Sequence, residues 1–189
     1  MLIHMSKSMK RILIGILFAA AVFLVNRYVI AQKSPAPAPQ QAPSASTTAP
    51  ELANASCHMI GQLPDPTCTP GVANPDVTQA NISQTICQSG YTKTIRPSVT
   101  YTDQLKQQQM TAYGFSDSLR AHEEDHLISL ELGGSPSDPK NLWPEPGASP
   151  NPKDKIENFL HAAVCSGKIS LLDAQTRISQ NWVTAEQGL

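Results

Sequence analysis

Asp125-His126-Leu127-Ile128-Ser129-Leu130-Glu131-Leu132-Gly133-Gly134, followed after a short interval by Asn141-Leu142-Trp143, is the stretch on which the fold of this chain turns. Ile128, Leu130 and Leu132 alternate with Leu127, Ser129 and Glu131, the period of a short strand. Gly133-Gly134-Ser135-Pro136 is a turn cluster. The chain then returns through Asp138-Pro139-Lys140 to Asn141, so the local expectation is strand, turn, return strand, loop and helix. Beyond residue 31 there are four histidines, and three of them (His122, His126 and His161) fall near this stretch. With Glu123, Glu124, Asp125 and Asn141 they form the one cluster in the sequence with metal or acid–base potential.

The same residues admit two patterns. His122-Glu123-Glu124-Asp125-His126 matches H-E-x-x-H, in which two histidines one helical turn apart hold zinc for a metallopeptidase. That motif needs a buried helix. Here Glu124 and Asp125 would put extra charge into its packing, and the residues after His126 alternate like a strand and stop at Gly133-Gly134. The zinc peptidase is therefore the lesser alternative.

The second pattern, Asp125-His126 before Gly133-Gly134 with Asn141-Leu142 on the return, resembles the finger of HNH endonucleases, a hairpin and helix that grip one divalent ion. Ile95-Arg96-Pro97, Tyr101-Thr102, Gly114, Asn141-Leu142-Trp143-Pro144, Lys153-Asp154-Lys155-Ile156-Glu157-Asn158 and Val164-Cys165-Ser166-Gly167 extend the likeness to exported bacterial HNH-like proteins over most of residues 57–182. The resemblance implies roles: Asp125 as metal ligand, His126 as general base on the attacking water, and Asn141 as the brace of the loop that carries them. It also implies one divalent ion, Mg²⁺, Mn²⁺ or Zn²⁺, and nucleic acid as substrate. The chemistry suits the residue types. A neutral imidazole accepts a proton near neutral pH, a divalent ion offsets charge on phosphate, and a carboxylate is a hard anionic ligand.

Many HNH fingers place a last ligand on the helix about nine residues beyond the Asn-Leu step. Here the Pro-rich Trp143–Pro152 loop intervenes, and the candidates become Asn158 and His161, one turn apart on the following helix. His161 reads equally as a partly buried histidine beside that helix's apolar stripe. His122, Glu123 and Glu124 are expected to face solvent, Trp143 and Trp182 to pack, and His58 has no evident partner. Because adjacent strand residues point to opposite faces, Asp125 and His126 serve one site only if they stand where the strand begins and the backbone bends.

Working outward, two helices are expected. Pro152–Cys165 opens with Pro152 near its first position and carries the stripe Ile156, Phe159, Leu160, Ala163 and Val164, ending before Gly167. Ser170 caps a last helix with the stripe Leu171, Ala174, Ile178 and Trp182. Upstream, a helix is expected from Thr102 to Tyr113 with Gly114 after it, and Tyr91–Val99 is expected to be extended. Val77–Cys87 is ambiguous between a short helix and an extended segment, and residues 52–76 read as a stapled loop region.

Residues 1–31 read as a signal peptide or N-terminal anchor. Lys7, Lys10 and Arg11 precede an apolar run from Ile12 to Val25 that is short for a bilayer span and suited to a signal sequence. Val29-Ile30-Ala31 is a permissive cleavage site, and retention would make the segment a membrane tether. Residues 32–51 form a Pro/Ala-rich spacer held extended by Pro35, Pro37 and Pro39. Residues 52–189 then make one α+β domain, mostly helical around a small hairpin-plus-helix HNH-like metal finger at about 121–165. All four cysteines lie in it. An even count in an exported chain favours disulfides over metal thiolates. Of the three possible connectivities, Cys57–Cys68 with Cys87–Cys165 is the one expected.

Without residues 1–31 the chain keeps ten bases against fifteen acids. A strongly basic nucleic-acid-binding domain is excluded, so polyanion contacts would be local, through Lys140, Lys153 and Lys155 or a bound metal. The sequence thus points to a metal-dependent nuclease acting outside the cytoplasm. A non-catalytic, disulfide-stapled binding module on the same scaffold is the alternative from a different class, and no protein partner is inferable.

Overall fold

Capping residues set the helices of the computed structural model, which describes residues 56–189; the expected export segment and spacer lie outside the described residues. Helix α1 (Tyr91–Ile95) follows Gly90, whose φ of 83° turns the chain into it. It occupies the segment expected to be extended. The β-branched residues there are outweighed by local bonding: Thr94 Oγ1 donates to Tyr91 O at 2.7 Å, and the chain is extended at Arg96, restricted by Pro97, and at Ser98. Helix α2 (Val99–Ala112) starts three residues before the expected point, because Ser98 caps it by accepting from Tyr101 N at 3.3 Å. Gly114, at φ 69°, follows its end.

Helix α3 (Pro152–Cys165) has the expected bounds. Asn151 accepts from Lys153 N at 2.8 Å and its own N–H is taken by Asp154 Oδ2 at 2.9 Å, a reciprocal cap. Leu160, Ala163 and Val164 are buried as expected, whereas Phe159 is 38% exposed and Lys153 is wholly buried. Helix α4 (Leu171–Asn181) begins at Ser170, which accepts from Asp173 N at 3.1 Å; Leu171, Ala174 and Ile178 are buried, with Trp182 just beyond.

Strand β1 (His122–His126) pairs antiparallel with β2 (Leu142–Pro146), with Glu123 opposite Glu145 and Asp125 opposite Trp143. The strand expected at Ile128–Leu132 is not one. Leu127, Ile128, Ser129, Leu130 and Leu132 are buried and Glu131 alone is partly exposed, so burial does not alternate along this segment, and Leu130–Leu132 is a 3₁₀ turn. The ladder lies instead on the charged stretch before it. Asp125-His126 therefore closes the strand rather than opening it.

The core gathers Leu127, Ile128, Leu132 and Trp143 from the hairpin region against Leu160 and Val164 of α3 and Ala174 and Ile178 of α4. Burying a side chain of this size stabilises by about 2 kcal/mol. This small α+β core is fastened by both expected disulfides. Cys57–Cys68 has Cα atoms 6.0 Å apart, and Cys87–Cys165, with 5.7 Å, ties the 3₁₀ region at Gln79–Gln84 to the end of α3. Such bridges fit an oxidising compartment. Among the described residues no helix is long and apolar enough to cross a membrane.

The chain separations of the two bridges, 11 and 78 residues, set their expected contributions. By loop-closure entropy, replacing Cys57 and Cys68 by serine costs about 3 kcal/mol, and replacing Cys87 and Cys165 costs about 4 kcal/mol. Urea unfolding of the two double variants measures this ordering; equal midpoints would contradict it.

Candidate active site

Asn141 is the structural centre of the hairpin turn. It is wholly buried, and its carboxamide is fully used. Oδ1 accepts from Ile128 N at 3.0 Å and Val72 N at 3.2 Å, while Nδ2 donates to Ile128 O at 3.0 Å and Ser135 O at 2.9 Å. Its backbone carbonyl takes Leu127 N at 2.8 Å. One side chain thus satisfies both backbone groups of Ile128 and the carbonyl of Ser135, where no sheet ladder reaches. Asn141 links Ile128, Ser135 and Val72. Gly134 makes it possible: a Cβ there would stand 1.7 Å from Ile128 O, in the way of this bonding. Gly133, at φ 71°, turns the chain beside Val77.

The braced loop presents Pro136 O to His126. His126 is buried, and its Nε2 lies 3.0 Å from that carbonyl. A carbonyl only accepts, so Nε2 carries the proton and Nδ1 holds a lone pair. Among the described residues no hydrogen bond reaches Nδ1. Burial lowers the imidazole's pKa, opposed by Pro136 and Asp125 and assisted by Arg96 and Lys153. Burial thus favours the neutral ring.

By the pleat, Asp125 points to the other face of β1, toward α3. There its Oδ2 accepts from Lys153 Nζ at 2.8 Å. The same ammonium donates to His126 O at 2.8 Å and to Glu157 Oε1. Burial alone would lower the Lys153 pKa, but Asp125 and Glu157 reverse this and hold it above its usual value. Glu145, on the neighbouring strand, is pushed to about 9, first by burial and then by Asp125. Asn151 Nδ2 donates to Glu123 Oε2 at 3.0 Å and lies 3.5 Å from Glu145. Lys153 is therefore an internal cation, not the surface base expected to meet a polyanion. Lys140 and Lys155 remain exposed.

Other expected positions are corrected here. Glu124, expected in solvent, has both carboxyl oxygens buried without a partner, and burial raises its pKa to about 9. His122 is buried too, with Nδ1 3.1 Å from Pro144 O and Nε2 2.8 Å from Asp117. His122 and His126 lie on a strand, which sets them roughly 13 Å apart along the chain rather than one helical turn apart. H-E-x-x-H geometry is absent. Trp143 and Trp182 pack as expected, and the His58 ring lies 3.4 Å from Ser56 Oγ while its backbone N–H donates to Asp65 Oδ2 at 3.0 Å.

The metal ligands expected from the sequence are not brought together. Asn158 is exposed and donates to Asp154 O at 2.6 Å, while His161 pairs with Ile86 O at 2.9 Å and lies 4.0 Å from Glu131. Among the described residues, the one group of three His, Cys or acidic side chains whose donors converge closely enough for an ion is Cys87, His161 and Cys165, all within 4.8 Å. Its two sulfurs are joined in a disulfide, so the group offers thiolates only after reduction. At Asp125 a divalent ion does not fit, because an ammonium already lies against the carboxylates. Sequence reasoning placed Lys153 on the surface and missed Glu145 and Glu157. The reciprocal cap at Asn151, which starts the helix so that Lys153 and Glu157 stand one turn apart, was the local signal.

Comparison of the chain with protein-family models, curated proteins and solved structures finds no match.

The raised carboxyls fix a pH dependence. Glu124 and Glu145 titrate near 9 in the fold against an ordinary 4.5, so between these values the folded chain holds protons the unfolded chain releases. Their contribution is complete below about 4.5 and is lost as pH rises toward 9. The lowered His126 opposes this only on the acid side of its ordinary 6.5. Melting temperature is expected to fall from neutral pH to about 9, and to fall less in Glu124→Gln. A melting temperature that rises over this range would contradict the assignment.

Proposed function

We propose that the chain hydrolyses phosphodiester bonds of nucleic acid, DNA or RNA, outside the cytoplasm, with His126 as general base. The observation that carries this reading is the buried His126 ring, with Nε2–H held by Pro136 O at 3.0 Å and no hydrogen bond to Nδ1 among the described residues. So held, a neutral imidazole takes a proton from the water that attacks phosphorus. Asn141 acts as a positioning residue, because it fixes the loop that carries Pro136. Arg96 is near enough for its charge to bear on the imidazole, and it supplies positive charge beside the base. The domain's excess of acids keeps phosphate contacts local to Arg96 and the exposed Lys140 and Lys155. No step runs through a metal on Asp125, Asn158 and His161.

A second reading, a non-catalytic disulfide-stapled binding module, is favoured by one observation: Lys153 fills the carboxylate pocket. Cleavage separates the two. The full-length chain is incubated with plasmid DNA and with RNA, in Mg²⁺, Mn²⁺, Zn²⁺ or chelator, beside His126→Ala. The nuclease reading expects cleavage, reduced about a hundredfold or more in His126→Ala. No cleavage by folded protein under any condition selects the binding module. Cleavage undiminished in His126→Ala removes His126 as base.

A further inference from the structure

The bridge at the end of α3 has a histidine beside it. Cys87 Sγ, Cys165 Sγ and a ring nitrogen of His161 all lie within 4.8 Å of one another. His161 and Cys165 are one helical turn apart on α3, which puts both on the same face. Cys87 comes to them from the loop after the 3₁₀ region, and the ring is held against that loop. His161 Nε2 lies 2.9 Å from the carbonyl of Ile86, the residue before Cys87. Cys165 is exposed, and Cys87 and His161 border a surface cleft of about 320 Å³. The second bridge differs: Cys57 is buried, and among the described residues its cysteines belong to no such donor group. An attacking thiolate reaches an exposed bridge more readily than a buried one.

We propose that the Cys87–Cys165 bridge is the closed form of a zinc site: when a dithiol reduces it, Cys87, Cys165 and His161 hold one Zn²⁺ at the end of α3. The dithiol gives two electrons and two protons and leaves as its own disulfide, while the S–S bond becomes two thiols. Zinc then takes both sulfurs as thiolates, and two protons pass to solvent. Two cysteines and a histidine are a donor set that zinc accepts, with water from the cleft completing the tetrahedron. Thiolates about 2.3 Å from one tetrahedral zinc stand roughly 3.8 Å apart, inside the 4.8 Å that already spans the three donors. Glu131 Oε2, 4.0 Å from His161 Nδ1, borders the cleft but is not one of the converging donors. The ion does what the bridge did, tying the loop at Cys87 to α3, so the fold keeps this fastening in either redox state. The inference does not rest on the phosphodiesterase reading, and its test measures no cleavage.

The full-length chain is treated with limiting dithiol, freed of it without oxygen, and titrated with Co²⁺ and then Zn²⁺. Alkylation is expected to find the freed thiols at Cys87 and Cys165; thiols at Cys57 and Cys68 with this bridge intact overturn the proposal. The reduced chain is expected to take up one equivalent of Co²⁺ with a sulfur-to-cobalt charge-transfer band that Zn²⁺ displaces. The oxidised chain is expected to show no such band. Zn²⁺ is also expected to raise the melting temperature of the reduced chain by several degrees as it binds the native state. His161→Ala is expected to weaken Co²⁺ binding by more than about tenfold, since even a partner beyond the metal's own ligands costs that much. The double variant Cys87→Ser, Cys165→Ser is expected to lose the band. A reduced, folded chain without the band, or an affinity unchanged in His161→Ala, overturns the proposal. Should the reduced chain unfold, Zn²⁺ is expected to restore the fold, and failure to restore it overturns the proposal equally.

Discussion

The carboxamide of Asn141, buried between β1 and the turn that follows it, holds Ile128 by both backbone groups and Ser135 by its carbonyl. Remove it and those groups lie in a dry interior without partners, at about 1–3 kcal/mol for each one orphaned. More depends on it than stability. The loop it closes carries Pro136, and the Pro136 carbonyl decides which nitrogen of His126 bears the proton. Gly134 is tied to the same constraint, since any side chain there would meet Ile128 O. Asparagine, glycine and histidine thus form one dependency, running from backbone packing to the chemistry of a ring.

The pleat of β1 divides the site in two. His126 and Glu124 share one face with His122, while Asp125 and Glu123 share the other with Glu145 and α3. On the second face, charge is neutralised within the fold by Lys153. The first has no such balance: Glu124 is sealed without a partner and is held as a neutral acid by burial. Adjacent residues of the Asp125-His126 pair therefore have separate work, one anchoring the helix and one offering a base.

Much of this was legible because its signals are local. Asn151, Ser170 and Gly114 mark helix ends through bonds to their immediate neighbours, and α3 and α4 stand where the pattern put them. Cysteine parity pointed to two bridges, and of the three possible connectivities the expected one is present. The hairpin was misplaced because Leu127–Leu132 alternates in sequence while Leu127, Ser129 and the apolar residues are buried alike, so its period carried little information about a face. Lys153, Glu145 and Glu124 were hidden for a related reason. Charged residues are read as solvated, and only the packing of α3 on the hairpin reveals that Lys153 satisfies its neighbours while Glu124 goes without. Asn158 and His161 were assigned by their spacing along α3; their backbone partners, Asp154 O and Ile86 O, turn them to other business.

The account stands on the protonation pattern of His126, which nitrogen NMR reads directly from the imidazole resonances of the ¹⁵N-histidine-labelled full-length chain, assigned by comparison with His126→Gln. The expected result at neutral pH is a neutral ring protonated at Nε2, with Nδ1 bare. An Nδ1–H tautomer, or an imidazolium at neutral pH, would contradict it.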